Sequence, residues 1–140
     1  MSLNEVHNDI LGAIKTAVEN ITDIKSVTIG ELTTLSPEKF PACYIIPDKD
    51  EEEDENVAEI LHKFRTKVIL IGRSSAQEPT TGMQTIIDLS ADVHDKLKED
   101  RTLGGKCEIL FMRGRDFDYA LGKDFHLFWS VIMVEPWKAI

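Results

Sequence analysis

The segment at residues 125–134 constrains the fold most, because almost every position in it is apolar. In a strand, successive side chains point to opposite faces, so Trp129 and Val131 share one face while Phe128 and Ile132 share the other. A strand in a two-layer domain normally keeps one face in water. The second apolar face therefore indicates either a central strand of a sandwich or a subunit interface, and both readings remain open. Phe128 and Ile132 are candidate interaction residues on this strand.

Two amphipathic helices are predicted, at about residues 3–21 and 81–99. In each, apolar side chains recur at three- and four-residue steps and form one stripe that a sheet or another helix must cover. Two helices can cover one side of a sheet of about five strands. A length of 140 residues fits one domain. We therefore predict a single α+β domain over residues 1–140, with two main helices packed against a sheet of about five strands.

Runs of apolar residues bounded by turn residues predict five strands. They lie at about residues 27–29, 40–47, 61–72, 107–112 and 125–134. Pro41 and Pro47 should mark the ends of the second strand, because proline cannot donate a hydrogen bond to a neighbouring strand. The other segments are predicted as a helical turn at residues 36–39, a glycine-containing turn at 102–105, and polar loops at 48–55, 72–81 and 113–124.

Residues 48–55 form an acidic segment, DKDEEEDE, whose seven carboxylates and one lysine account for −6 of the net charge of −9. The segment has no apolar anchor, so we expect a solvated, mobile loop that is dispensable for folding. Calcium-binding loops need alternating oxygen ligands and a glycine, and this segment has neither. Its expected role is electrostatic exclusion or steering of a charged partner. The candidate interaction residues are Asp50, Glu51, Glu52, Glu53 and Asp54.

No catalytic or cofactor motif stands out in the sequence. It contains no G-x-S-x-G, G-x-x-x-x-G-K or G-x-G-x-x-G pattern. The four histidines do not form zinc-ligand spacings, so we expect no metal ion. His7 and His94 should be solvated on the polar sides of their helices, and His126 should be half-buried with its hydrogen bonds satisfied. An enzyme site assembled from Asp116, Asp118 and His126 is a rival hypothesis, and a regulatory binding module is a third.

Several further features narrow the class of protein. Cys43 and Cys107 lie in apolar stretches far apart in sequence, so they are predicted to be buried and reduced. Arg113 and Arg115 flank a glycine in an expected surface loop, with contact to an acidic partner as the alternative. The excess of acidic over basic residues, 25 against 16, argues against sequence-independent nucleic-acid binding. No apolar run reaches the roughly 20 residues of a membrane helix, and the first residues lack a signal-peptide pattern, so we expect a cytoplasmic protein or a component of a particle assembled there.

The order of these elements resembles the tail terminator (tail-completion) proteins of long-tailed bacteriophages, the family that includes the lambda-type minor tail protein U. The resemblance covers most of the chain. It lies in the leading helix, the strand FPACYIIP at residues 40–47 with the charged loop after it, the long strand that ends in Gly72-Arg73, the second helix closing in DRTLGG at residues 100–105, and the apolar last strand. It implies a mixed, mainly antiparallel sheet with helices packed against it.

The resemblance also implies a function. It indicates a homohexameric ring that caps the tail tube, ends tube polymerisation and offers a surface to the head connector. The expected partners are the tail tube protein and the head connector protein, with no cofactor and no catalytic activity, first in the bacterial cytoplasm and then in the virion tail. A ring lumen lined by the acidic segment would let DNA slide without adhering. Another head–tail joining protein of the same small fold is the alternative.

Overall fold

The computed structural model describes residues 2–30, 39–75 and 79–140. These residues form two helices and a five-stranded mixed sheet, which confirms the predicted α+β fold class. Most of the turn predicted at residues 36–39 and part of the loop predicted at residues 72–81 lie outside the described residues. In chain order the elements are α1 (Leu3–Glu19), β1 (Ser26–Ile29), β2 (Ala42–Asp54), β3 (Ile60–Ser75), α2 (Pro79–Glu99), β4 (Ile109–Leu121) and β5 (Phe125–Ala139).

The strands follow the order β1-β2-β3-β5-β4 across the sheet. β1 runs parallel to β2, and the other neighbouring pairs are antiparallel. The apolar strand β5 therefore lies inside the sheet, between β3 and β4. β1 pairs with β2 only as far as Ile45. Beyond Ile45, β2 is an edge strand with no neighbour on its outer side among the described strands, and β4 forms the opposite edge.

The first helix begins at a complete capping box. The Ser2 hydroxyl accepts a hydrogen bond from the Glu5 N–H at 3.2 Å, and the Glu5 carboxylate accepts one from the Ser2 N–H at 3.1 Å. Together these bonds satisfy two donors that the helix itself leaves free. The helix ends at Glu19, two residues before the expected end, and it buries an apolar stripe of Val6, Ile10, Leu11, Ile14 and Val18.

Both helices cover the same face of the sheet. Their buried side chains join those of Phe64, Val68 and Ile132 in one core cluster. A second, smaller cluster of Phe40, Ala42 and Tyr44 lies on the opposite face, because side chains alternate along β2. In the part of the chain that the structure describes, no helix or second sheet covers that opposite face. The sandwich alternative for the apolar strand is therefore wrong for these residues.

Two of the predicted loops are wrong, because they are continuations of strands. The acidic segment extends β2 to Asp54, and residues 113–121 extend β4. Pro47 lies inside β2 rather than at its end, next to an irregularity in the register between Pro47 and Lys49. Such an irregularity interrupts the ladder where a residue without an N–H can be tolerated. The last strand also continues beyond the predicted residue 134, to Ala139.

The two cysteines are buried and free, as predicted. Burial raises the pKa of Cys43 to about 12. It also raises the pKa of Cys107, to about 11, with a smaller contribution from Asp100. Both thiols therefore remain protonated near neutral pH. Among the described residues, no helix has the length and apolar character that crossing a membrane requires.

Candidate functional site

The sheet face opposite the helices, here called the open face, carries a band of apolar side chains. The register places Trp129 beside Ile71 and Val131 beside Ile69, so neighbouring strands contribute to one continuous surface. Contiguous apolar surface that no element covers is typical of an interaction site. This apolar band consists of Tyr44, Ile46, Ile69, Ile71, Leu127, Trp129, Val131 and Met133, and all of these except Tyr44 are partly exposed.

The sequence-based candidates Phe128 and Ile132 lie on the other side of β5. They are 3% and 0% exposed, respectively, beneath the helices. An added Cβ at Gly82 of α2 would meet the ring of Phe128, so the helix lies directly on this ring. Phe128 and Ile132 therefore belong to the core, and any contact through this strand uses the alternate residues, Trp129 and Val131.

A buried carboxylate ties three strands together at one end of the open face. Glu135 is 3% exposed. It accepts hydrogen bonds from Arg65 Nε at 3.2 Å, Arg113 Nη2 at 3.2 Å and Trp137 Nε1 at 2.8 Å. Burial alone would raise the pKa of Glu135, but these hydrogen bonds outweigh it and hold the pKa below its usual value. Sequence reasoning missed this cluster, although a single carboxylate in an apolar strand is a signal that a buried partner exists.

The two arginines predicted to share a surface loop lie on opposite faces of β4. Gly114 between them has a φ of +107° and lies within an irregularity of the β4–β5 register. Arg113 pairs with Glu135 on the open face, whereas Arg115 Nη1 donates to the Ser90 hydroxyl of α2 at 2.8 Å. Arg113 therefore borders the open face, and Arg115 contacts α2 on the helix-covered side.

The residues of the rival enzyme hypothesis are not brought together. Asp116 pairs in register with Val131, which places Asp116 and Asp118 on the open face. His126 is 7% exposed and lies on the helix-covered face, where its Nδ1 accepts a hydrogen bond from the Gly122 N–H at 3.2 Å. His126 is therefore more buried than the half-buried position expected, and its Nδ1 has the hydrogen bond that was expected. A catalytic arrangement of these three side chains is not supported, because the sheet lies between them.

The acidic segment forms a strand because its carboxylates find cations close by, most of them on β3. Glu51 is opposite Lys63 in the register, and Lys63 reaches the neighbouring Glu53. Opposite charges on paired strands stabilise the pairing and offset the repulsion among the carboxylates. The ion pairs are Lys63–Glu53 at 2.9 Å, Lys49–Glu51 at 2.8 Å and Lys67–Asp48 at 3.7 Å.

The other side of the acidic strand faces two histidines. His62 is 5% exposed, and its Nδ1 lies 3.0 and 2.9 Å from the two carboxylate oxygens of Asp50. Glu52 Oε1 lies 4.0 Å from the same nitrogen. The ring of His62 stacks on Phe64 with 5.5 Å between centroids, and the ring of His7 lies 4.5 Å from that of Phe64. Strand pairing and α1 thus bring together residues that are remote in sequence.

The expectation that His7 is solvated is wrong. Its Nε2 is buried and has no hydrogen-bond partner among the described residues. Burial lowers the pKa of His7; the nearby Asp50 charge raises it and His62 lowers it further, with a net decrease. His7 is therefore mainly neutral near pH 7. His94 is partly exposed, and its Nδ1 lies 3.4 Å from Asp95 Oδ1.

Comparisons with known proteins add a likeness to solved structures. No protein-family model matches the chain, and no curated protein matches it. Among solved structures, the chain is similar to a component described as "Virion of native gene transfer agent (GTA) particle". The two share 14% sequence identity with a TM-score of 0.49, over 94% of this chain and 97% of that one. We therefore infer function from the residues of the chain itself and from the order of its elements.

Proposed function

We propose that this protein is a structural assembly protein of a bacteriophage or prophage, with no catalytic activity. In this proposal it caps the tail tube as a homohexameric ring, ends tube polymerisation and presents a surface to the head connector. The observation that carries the proposal is the apolar band on the open face. A contiguous, partly exposed apolar surface of this kind marks a site at which another protein binds. The resemblance in element order to tail terminator proteins supports the particular role.

The distribution of surfaces supports a ring rather than a closed pair. A closed dimer joins the same patch on two subunits, whereas a ring joins two different patches head to tail. The described part of the chain offers three distinct surfaces, namely the apolar band, the outer edge of β4 and the outer edge of β2 beyond Ile45. Unpaired strand edges can accept another strand. The chain therefore has the unlike surfaces that a head-to-tail contact requires.

The acidic strand has an electrostatic role in this proposal. Asp50, Glu52 and Asp54 alternate with Glu51 and Glu53 along an edge strand, so negative charge faces both sides of the hairpin. If this edge lines the lumen of the ring, it repels DNA that passes through. Such repulsion is screened over roughly 8 Å at physiological ionic strength. The edge would therefore act at short range, which fits a narrow channel.

Assembly can be tested by making the same change, valine to aspartate, in two separate variants. Val131→Asp places a charge in the apolar band, whereas Val57→Asp places the same charge at a position that is fully exposed between β2 and β3. We expect the wild type and Val57→Asp to form six-membered rings at high concentration, and Val131→Asp to remain monomeric. Light scattering gives the mass, and negative-stain electron microscopy gives the symmetry.

Circular dichroism and thermal unfolding of each variant show whether it has folded. If Val131→Asp does not fold, Met133→Gln provides a milder change in the same band. A wild type that is monomeric at every concentration, or that stops at a dimer, contradicts the ring. Assembly of a folded Val131→Asp to the wild-type mass contradicts the role of the apolar band. Genes for a tail tube and a head connector beside the gene for this chain are expected as well.

A further inference from the structure

The paired strands β2 and β3 hold three potential metal ligands together on the helix-covered side of the acidic hairpin. Asp50 and Glu52 are two positions apart on β2, so both project to the same side. His62 is the register partner of Glu52 on β3. One ligand atom from each of the three residues lies within 4.8 Å of the others. The side chains are thus positioned by strand pairing, which holds a site more rigidly than a loop does.

The distances among these atoms are close to those of a metal site. In a tetrahedral zinc site with bonds of about 2.0–2.1 Å, two ligand atoms are about 3.3 Å apart. In this chain, His62 Nδ1 is 2.9 Å from the nearer Asp50 oxygen and 4.0 Å from Glu52 Oε1. The third separation, between the ligand oxygens of Asp50 and Glu52, is within 4.8 Å. The ring of His62 needs no movement, since it is buried and stacked on Phe64.

The set of ligand atoms selects a class of ion. One imidazole nitrogen with two carboxylate oxygens suits zinc and its first-row neighbours, whereas magnesium and calcium prefer oxygen ligands alone. His7 is a second imidazole close to this trio, packed against Phe64 on the side of α1. Its buried Nε2 has no hydrogen-bond partner among the described residues. A buried nitrogen without a partner is uncommon and calls for a physical reason.

We propose that Asp50, Glu52 and His62 form a binding site for a divalent transition-metal ion of the zinc class, with His7 packed against Phe64 beside this set of three ligands. A bound ion would hold β2 and β3 together near the turn of the acidic hairpin. It would also neutralise part of the negative charge on the helix-covered side of the hairpin. The proposal opposes our expectation from sequence, which considered spacing along the chain and not across paired strands. It does not depend on ring formation.

Cobalt is a suitable probe, because its visible absorption reports the ligand geometry while zinc is silent. The protein is prepared without a histidine tag, treated with a chelator and titrated with Co²⁺, with calorimetry in parallel. We expect one Co²⁺ per chain, visible absorption bands that zinc displaces, and a rise in the melting temperature. Absence of saturable binding overturns the proposal.

Two double variants separate a defined site from a diffuse negative field. Asp50→Asn with Glu52→Gln removes two charges from the proposed site, and Glu51→Gln with Glu53→Gln removes two from the opposite side of the same strand. Changes to residues that only support metal ligands weaken affinity by about 10- to 100-fold, so loss of ligands should cost at least about tenfold. The first double variant should show that loss, and the second should bind like the wild type.

The remaining outcomes are also decisive. Equal weakening in both double variants means that the acidic strand attracts cations only through its overall charge, which overturns the proposal. The same conclusion follows if His62→Gln binds Co²⁺ like the wild type, or if calcium competes as well as zinc. Where the first double variant does not fold, Asp50→Asn alone replaces it. The molar mass of the protein is measured in the same samples, so that metal binding is judged independently of whether the ring forms.

Discussion

Glu135 offers the sharpest test of how the sheet is held together. Its carboxylate is buried and accepts hydrogen bonds from Arg65, Arg113 and Trp137, which lie on β3, β4 and β5. Glu135→Gln removes the charge and keeps the size of the side chain. One oxygen remains to accept from Trp137, but the new amide turns an N–H toward an arginine. The substitution therefore weakens the electrostatic contacts and leaves the packing in place.

The expected loss follows from how exposed the arginines are. Hydrogen bonds to a charged group are worth about 1.5–3 kcal/mol each when the partners are buried. The side chains of Arg65 and Arg113 are 38% and 43% exposed, so water replaces much of what they lose. Ion pairs at such exposure contribute about 0.2–1 kcal/mol. We expect the free energy of unfolding to fall by about 1–2 kcal/mol, which is less than the 3–5 kcal/mol for breaking a fully buried pair.

The pH dependence of the free energy of unfolding shows whether loss of the Glu135 charge causes the deficit. Folding lowers the pKa of Glu135, so its ionised form stabilises the fold above the usual glutamate pKa, and this contribution is lost as the pH falls through the lowered value. Urea unfolding should show a constant deficit for Glu135→Gln from pH 7 to about pH 5, and a deficit that shrinks toward zero in stronger acid. Glu99→Gln, at an exposed carboxylate 3.3 Å from Lys96, is the control and should match the wild type. A variant as stable as the wild type at pH 7, or a deficit unchanged in acid, would refute the reasoning.

Two further predictions concern packing and burial. Gly82→Ala should lower the free energy of unfolding by about 1–3 kcal/mol, because the added Cβ meets the buried ring of Phe128. Gly12→Ala in α1, where nothing lies within 4 Å of the added Cβ, should raise it by about 0.5–1 kcal/mol, and denaturant unfolding that gives the reverse order contradicts this packing. The thiols of Cys43 and Cys107, with pKa values raised by burial to about 12 and about 11, should not react with a disulfide reagent at about pH 8 until the protein unfolds; rapid labelling of the native protein would show that they are accessible.

The helices could be predicted from sequence because their signals are local. The stripe of α1 repeats within the helix, and its capping box spans only Ser2 to Glu5. The predicted start of α1 is confirmed, and its end differs by two residues. The fold class is confirmed for the same reason, since two such stripes require a sheet to cover them.

The acidic segment shows where local reasoning fails. A count of neighbouring charges predicts repulsion and a loop, but the partner strand presents Lys63, Arg65 and Lys67 on one face. The sequence shows that basic face plainly. It does not show that β3 pairs with the acidic segment, because register depends on contacts across the hairpin and on the burial of the rest of the sheet. The sequence predicts a loop at residues 113–121 for a similar reason. It does not show that this polar segment pairs with the apolar strand β5.

Spacing along the sequence does not predict the side-chain clusters around Glu135 and His62. Arg65 and Glu135 are 70 residues apart in the chain, and Asp50 and His62 are 12 apart on two strands. Motif searches compare positions within one segment, whereas these groups meet only after the strands have paired. For Glu135, a single carboxylate in an apolar strand is an available clue, because burial requires that its hydrogen bonds be satisfied. His62 lies among other polar residues of β3 and gives no such clue.

The two sides of β5 differ in how completely they are buried, and the difference is relevant to the proposed assembly. The covered side includes Ser130, which is fully buried with no hydrogen-bond partner for its hydroxyl among the described residues. The open side carries Leu127, Trp129, Val131 and Met133 instead. Full burial of one large apolar side chain is worth about 1.5–3 kcal/mol. Covering these partly exposed side chains with another subunit would therefore stabilise the assembled state that we propose.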